Sequence, residues 1–339
     1  MCAVLSRRIG FELELLAPSG STRRALAEEL AKRCGGSVRP VWHVDSEPVP
    51  IQALGGRFIH LTQGFEVRRA SGEQVCTLVD DITIAADLDA TAPAPAGWYR
   101  LLTDDLRFAW LLEQQCDPAA SIDLVLDPVA ALWSAEVETV GNVRRLDARG
   151  ATVALAAPAG GERERPCEIV TPPIAEAHGD RLEELLGAAR DLGFSVPREA
   201  AVHLHLDGKP FRDAAVLANV VRLFGHSREP LRTRLGTNPE CRRLQPLPAE
   251  LVAVAEGNPS YDELRAAAAR SGLTKFYDVN LTQLFKESPI RDTLEVRILP
   301  GAITADEVLS RAVVIEALLD RCEAGPRFEP SAAGEKMLP

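Results

Sequence analysis

Two glutamates, Glu12 and Glu14, stand two residues apart in a segment that alternates between apolar and polar positions, residues 8–16. The alternation predicts a β-strand with one apolar face. Side chains at i and i+2 of a strand point to the same face, about 7 Å apart. Both carboxylates should therefore share the polar face, where they are either merely solvated or able to bind a divalent cation.

The same geometry recurs on two further predicted strands, residues 201–207 and 293–299, and a fourth, short strand is predicted at residues 167–170. The polar residues that these strands contribute are His203, His205, Glu295, Arg297 and Glu168. Several carboxylates that face each other repel unless a cation neutralises them. Oxygen ligands with an occasional histidine suit Mg²⁺ or Mn²⁺. The pattern therefore indicates a metal-dependent site on antiparallel strands.

Composition limits the classes of function. The formal net charge of −11 argues against sequence-independent nucleic-acid binding and against docking on anionic lipid, because both need clustered Lys and Arg. The seven cysteines are scattered and no C-x-x-C occurs, which is typical of reduced thiols in a cytoplasm. We also expect no signal peptide and no membrane span.

Periodicity and breaker residues predict the elements that position these side chains. The predicted helices cover residues 22–34, 104–115, 175–192, 212–225, 261–270 and 305–322. Further strands are predicted at residues 39–44, 56–60, 65–68, 74–78, 122–126, 136–140 and 276–285. Helices and strands mix without regular βαβ alternation, which favours an α+β antiparallel architecture.

The predicted domain organisation has three parts. Residues 1–54 and 162–324 form a catalytic core, residues 55–161 form an inserted β-rich subdomain, and residues 325–339 form a flexible tail. The insertion is inferred from a change to short β-like runs after Gly55, with the loop TAPAPAG inside this stretch and the loop PAGG at its end.

Five segments, in chain order, resemble motifs of the amidoligases in the carboxylate–amine ligase superfamily. They are IGFELELL (residues 9–16), CEIVTPP (167–173), AVHLHLD (201–207), KFYDVNL (275–281) and TLEVRIL (293–299). The fold of this family is similar to that of glutamate–cysteine ligase and, more distantly, of glutamine synthetase.

The resemblance implies an antiparallel sheet curled into a half-barrel with helices on its convex side. It implies that ATP and Mg²⁺, or Mn²⁺ in its place, bind on the concave side, and that a carboxylate is converted to an acyl phosphate and attacked by an amine. The implied metal ligands are Glu12, Glu14, Glu168, Glu295 and one of His203 and His205, with His203 taken first. The implied catalytic residues are Arg297, Glu295, His203 and His205, and the implied nucleotide contacts are Arg297, Lys275, Asn280 and Arg234.

Some positions depart from the family pattern. Asp45 is a further candidate, but the serine expected near it is out of step, and Thr171 replaces a usual serine. An arginine-rich stretch, Arg228, Arg232, Arg234, Arg242 and Arg243, could hold phosphates or a substrate carboxylate, or it could be a solvated loop. Arg234 and Asn238 match the family's Arg–Asn stretch best.

Two other functions compete with the ligase. A zinc hydrolase could use the His-x-His pair and carboxylates, and it would carry stoichiometric zinc without binding ATP. A non-catalytic member would keep its function after Glu12→Ala or Glu295→Ala. The partners expected of the ligase are a small-molecule or peptide carboxylate and an amine. We expect no nucleic acid and no membrane, and a homo-oligomer is compatible with the sequence.

Overall fold

The computed structural model describes residues 4–44, 49–51, 56–148, 151–241, 243–289 and 291–328. The chain divides into two compact units. Unit 1 comprises Met1–Leu15, Val170–Asp191 and Ser195–Pro339, and unit 2 comprises Leu16–Ile169 and Leu192–Phe194. The candidate Asp45 and residues 329–339 of the predicted tail lie outside the described residues.

The described residues form strands and α-helices that are numbered here in chain order. The strands are β1 (Ile9–Leu16), β2 (Ser37–Val44), β3 (Val49–Ile51), β4 (Gly56–Arg68), β5 (Gln74–Val79), β6 (Tyr99–Thr103), β7 (Val137–Val140), β8 (Val143–Ala148), β9 (Ala151–Pro158), β10 (Pro166–Val170), β11 (Ala201–Asp207), β12 (Val279–Asn280) and β13 (Thr293–Pro300). The helices are α1 (Arg23–Arg33), α2 (Leu106–Gln115), α3 (Asp127–Leu132), α4 (His178–Asp191), α5 (Ala214–His226), α6 (Arg228–Leu235), α7 (Ala249–Ala255), α8 (Tyr261–Arg270) and α9 (Ala305–Ala324).

Unit 1 is built on antiparallel strands in the order β12, β13, β11, β1. The apolar side chains of these strands, such as Phe11, Leu204 and Val296, are fully buried. Because side chains alternate along a strand, the polar side chains of the same strands share the opposite face. Helix α9 packs on α4 and α5, and its first turn is fixed by a capping box between Thr304 and Glu307.

Unit 2 contains the remaining strands in the order β10, β5, β4, β6, β9, β8, β7, and β2 and β3 both pair with β4. Its core lies between this sheet and helices α2 and α3. The Trp42 indole N–H donates to the carbonyl of Cys116 (2.8 Å), and this hydrogen bond ties β2 to the end of α2. The buried Arg23 guanidinium donates to the Gln63 carbonyl (2.8 and 2.9 Å) and thereby anchors α1 on β4.

The chain is therefore a mixed α/β protein with extensive antiparallel sheet, and in neither unit do the described strands close into a barrel. Among the described residues, no helix has the length and apolar character needed to span a bilayer. The predicted insertion, residues 55–161, lies within unit 2. Its status as an insertion into a family core stays a prediction.

Most elements around the proposed site agree with the sequence prediction. The strands predicted at residues 8–16, 167–170, 201–207 and 293–299 correspond to β1, β10, β11 and β13. Helix α8 has the predicted bounds, and α1 begins after Thr22, whose hydroxyl accepts the backbone N–H of Ala25 (3.2 Å).

One predicted strand was too long, although it pairs with β13 as expected, and another was wrong. Residues 276–285 form only the two-residue strand β12, because the Asn280 side-chain oxygen accepts the backbone N–H of Thr282 (3.0 Å) and turns the chain. Residues 122–126 form helical turns that lead into α3, which has proline at its start. There Leu124 is exposed while the next two residues are buried, so the burial does not alternate. The strands β3, β6, β8 and β9 and the helices α3, α6 and α7 were not predicted.

Candidate carboxylate–histidine site

The β1–β11 ladder brings the first glutamate and the first histidine together. Glu12 lies directly opposite His203, and its Oε2 is 3.0 Å from His203 Nδ1. Gly10 lies opposite His205, and a Cβ on Gly10 would stand only 3.4 Å from the His205 Cβ. That separation is ordinary van der Waals contact. The His205 imidazole Nε2 lies 3.1 Å from Glu12 Oε1, an ion pair when the histidine is protonated.

Strand β13 adds a second carboxylate on the other side of β11. Glu295 lies opposite His205 on β11 and opposite Asn280 on β12. The Asn280 amide donates to Glu295 Oε2 (2.7 Å), and the Arg297 guanidinium donates to Glu295 Oε1. These contacts hold the buried Glu295 carboxylate in a fixed orientation.

A break in the ladder places Arg297 in the same group. Val202 pairs with Leu299 but Leu204 pairs with Val296, so β13 carries one extra residue opposite His203. A bulge of this kind bends the strand and redirects a side chain, and bulges are common beside active sites. The Arg297 side chain remains on the polar face, 12% exposed, beside Glu295.

Glu14 lies further along β1 and is buried. Its Oε2 accepts the backbone N–H of Ala201 (2.8 Å), and its Oε1 is 3.5 Å from His203 Nε2. One carboxylate oxygen is thus committed to the start of β11, while the other faces the histidine. We define the carboxylate–histidine cluster as Glu12, Glu14, His203, His205, Glu295 and Arg297.

Basic groups stabilise the ionised carboxylates in the cluster. Burial acts to raise the pKa of Glu12, but the attraction of His205 and His203 outweighs it and holds that pKa well below its usual range. Burial also acts to raise the pKa of Glu295, and Arg297 and the histidines bring it below its usual value. Both carboxylates are therefore ionised at neutral pH.

The pKa values of the two histidines are shifted in opposite directions. Burial, reinforced by the charge of Arg297, lowers the pKa of His203 despite its contact with Glu12. Burial also acts on His205, but the charge of Glu12 raises its pKa above the usual value. The surroundings of His203 therefore favour its neutral form, whereas Glu12 favours the protonated form of His205.

The donor set fits a divalent cation. Glu12, His205 and Glu295 each offer one ligand atom, and these atoms all lie within 4.8 Å of one another. Carboxylate oxygens with a histidine are ligands that Mg²⁺ and Mn²⁺ accept. The cluster therefore has the charge and the ligand types to hold such an ion, with His205 deprotonated when it serves as a ligand.

The other predicted site residues lie on several elements. Glu168 lies on β10 and is half-buried in unit 2. Lys275 is half-buried before β12, with its ammonium 5.5 Å from the centre of the Phe276 ring. Arg234 is exposed on α6. The roles of these three residues in binding metal or nucleotide stay predictions.

The arginine-rich stretch forms structural contacts that the sequence did not show. Arg228 and Arg232, one turn apart on α6, both bind the buried carboxylate of Asp278 (2.7 and 3.2 Å). Asn238 donates to the carbonyls of Arg198 and Ala200 (2.9 and 3.0 Å), just before β11. The Arg243 guanidinium stacks 5.0 Å from the centre of the Phe276 ring, and Arg242 lies outside the described residues.

Two residues beside the cluster were missed by the sequence prediction. Arg291 donates to Glu12 Oε1 (2.9 Å), and Thr293 Oγ1 is 3.3 Å from His205 Nδ1. Thr171, where the family has serine, accepts the backbone N–H of Phe11 through its hydroxyl (2.9 Å). The sequence gives a weak indication of Thr293, because this residue shares a strand face with Glu295. It gives none of Arg291, which lies in a turn, where no periodicity predicts the direction of a side chain.

The fold and the cluster define a mixed α/β protein whose antiparallel strands present carboxylates, histidines and an arginine on one polar face. A family model described as "putative amidoligase enzyme" matches residues 5–319, and the chain belongs to this family. Membership in this family indicates an enzyme that forms amide bonds. No curated protein and no solved structure matches the chain.

Proposed function

We propose that the protein is an ATP- and Mg²⁺-dependent ligase that joins a carboxylate to an amine through an acyl-phosphate intermediate. The observation that carries the proposal is the convergence of Glu12, Glu295 and the two histidines beside Arg297 in a member of an amidoligase family. Phosphoryl transfer requires positioned positive charge around the phosphate oxygens, and this cluster can supply it from both metal ions and a guanidinium.

The cluster would hold the metal through Glu12 and Glu295, with Glu14, Glu168 and one of the histidines as further ligands. A divalent cation held by these residues would supply positive charge that offsets the negative charge of the transferred phosphoryl group. We propose that ATP lies on the concave side of a sheet curled into a half-barrel, with helices on its convex side. Lys275, Asn280 and Arg234 would then contact the nucleotide.

Arg297 has a separate role in the proposal. Its guanidinium is held by Glu295 on a strand rather than on a loop, so its position is fixed before substrate binds. A fixed cation stabilises developing negative charge without reorganising during the reaction. The substrate carboxylate attacks the γ-phosphorus of ATP, ADP leaves, and the amine then displaces phosphate from the acyl carbon.

A hydroxylamine trap tests this chemistry without knowledge of the amine. The purified protein is incubated with ATP, Mg²⁺, hydroxylamine and a panel of carboxylates, and both ADP and hydroxamate are measured. We expect Mg²⁺-dependent ADP release with stoichiometric hydroxamate for a subset of the acids. Glu295→Gln should abolish both products, whereas Glu138→Gln, on an exposed position of β7, should not.

The competing functions predict other results. Stoichiometric zinc in the purified protein without ATP binding would contradict the ligase and favour a hydrolase. ATP binding without turnover on any acid, unchanged by Glu12→Ala or Glu295→Ala, would favour a non-catalytic member.

A further inference from the structure

A cavity of about 300 Å³ in unit 1 lies next to the segment that leads into β13. The lining residues that matter here are Arg212, Tyr261, Arg265, Phe285, Lys286 and Glu287. Asp292 also lines it and stands between Arg291, which contacts Glu12, and Thr293, which contacts His205. The segment that begins β13 thus contributes to both the cavity and the cluster.

Hydrogen bonds fix one wall of the cavity. The Arg212 guanidinium donates to Asp292 Oδ1 (2.8 Å) and to the carbonyl of Leu284 (3.0 Å). The Tyr261 hydroxyl donates to the same carbonyl. The rings of Tyr261 and Phe285 lie 5.9 Å apart between centroids and are inclined by 45°, so they form a continuous aromatic surface.

The remaining charges at the cavity are of opposite sign. Arg212 and Asp292 neutralise each other, and Arg265 forms an exposed ion pair with Asp262 (2.9 Å). Lys286 and Glu287 are both exposed, and neither forms an ion pair within the described part of the chain. The cavity therefore offers one ammonium and one carboxylate, each available to a ligand, next to an aromatic surface.

We propose that this cavity binds an α-amino acid with an apolar or aromatic side chain, as a substrate of the ligase. The role as a substrate site rests on the proposed function, whereas the binding itself does not. The ligand carboxylate lies against Lys286 and Arg265, its ammonium lies against Glu287, and its side chain packs on Tyr261 and Phe285. The cavity volume is at the lower end of the range for small-molecule sites, about 300–1,000 Å³, which suits a single amino acid.

Calorimetric titration of the full-length protein, free of metal and nucleotide, tests the site. The twenty proteinogenic L-amino acids are screened, and the tightest binder is compared with its carboxamide and its N-acetyl derivative. Loss of one charge-assisted contact should weaken binding about tenfold or more, so both derivatives should bind at least that much more weakly.

Two variants test the assigned contacts. Lys286→Met should weaken binding of the amino acid about tenfold but leave binding of its carboxamide unchanged. Glu287→Gln should weaken binding of the amino acid about tenfold but leave binding of its N-acetyl derivative unchanged. Both residues are exposed, so neither variant should unfold the protein. Lys32→Met and Glu229→Gln, at exposed positions elsewhere, are the matched controls and should bind as the parent does.

Three results would overturn the proposal: no heat from any amino acid, derivatives that bind as tightly as the parent ligand, or variants that bind like the controls. Failure of the proposed function is measured separately, as loss of Mg²⁺-dependent hydroxamate formation. If the cavity binds amino acids but the protein lacks that activity, the binding site is upheld and only its role as a ligase subsite is refuted.

Discussion

Replacing Glu295 by glutamine should destabilise the cation-free protein, although it removes one of several neighbouring negative charges. Glu295 is buried, accepts a hydrogen bond from Asn280 at 2.7 Å and binds the Arg297 guanidinium. Glutamine keeps the shape of the side chain, but its amide cannot serve as counter-ion to Arg297. It also cannot accept hydrogen bonds through both of its terminal atoms.

The magnitude follows from two opposing electrostatic effects. At an effective dielectric constant of about 20, unit charges about 3 Å apart attract by roughly 5 kcal/mol. The Glu12 and Glu295 oxygens lie within 4.8 Å of each other, where like charges repel by about 3.5 kcal/mol or slightly more. The hydrogen bond from Asn280 to a charged acceptor adds about 1.5–3 kcal/mol. We expect a net loss of about 3–4.5 kcal/mol in the free energy of unfolding.

Urea denaturation in EDTA measures this difference. Glu138→Gln, with its side chain 59% exposed, is the control and should change the free energy of unfolding by less than about 0.5 kcal/mol. Titration with Mg²⁺ should then stabilise the parent more than Glu295→Gln, because the variant lacks a charged ligand. Equal or greater stability of Glu295→Gln in EDTA would mean that carboxylate repulsion exceeds the attraction of Arg297, and would refute this reasoning.

Three further changes have defined outcomes. Arg297→Ala should lower turnover about a hundredfold or more with a smaller change in ATP affinity, and unchanged turnover in steady-state kinetics would exclude the proposed role. Asp278→Asn should lower the free energy of unfolding by about 2–3 kcal/mol, because two half-buried arginines on α6 lose their counter-ion, and a neutral effect in urea denaturation would contradict this. Burial and the nearby Arg100 lower the pKa of His60 to about 4, so the unfolded chain, with a histidine pKa near 6.5, takes up a proton first as the pH falls. The free energy of unfolding should therefore fall by up to about 3 kcal/mol from pH 6.5 to 4, and a His60→Gln variant with the same slope would disprove the assignment.

The polar face of the cluster could be predicted because strands encode it directly. Because side chains alternate along a strand, Glu12 and Glu14 must share one face of their strand, and His203 and His205 must share one face of theirs. The ordered motifs then placed β1, β11 and β13 in one family core. This alternation does not predict the pairing register between two strands. The register of β1 and β11 places Glu12 opposite His203 rather than His205.

Other contacts depend on geometry that has no sequence period. Arg291 reaches Glu12 from a turn, and Asn280 ends its strand by bonding to Thr282. The bulge opposite His203 depends on how β13 pairs with β11, which no single strand reveals. The arginine-rich stretch was ambiguous for a different reason, because its partner Asp278 is about fifty residues distant in sequence.

The cluster holds its carboxylates together because the surrounding strands and turn supply basic groups. Glu12 alone is contacted by His203, His205 and Arg291, and Glu295 is contacted by Arg297. A divalent cation that binds these carboxylates must therefore compete with the protein's own side chains. Arg297 is almost buried, so its release would leave an unsolvated charge, whereas the Arg291 side chain is 55% exposed and water can solvate it readily. Arg291 is thus the counter-ion that a bound cation would displace at the least free-energy cost.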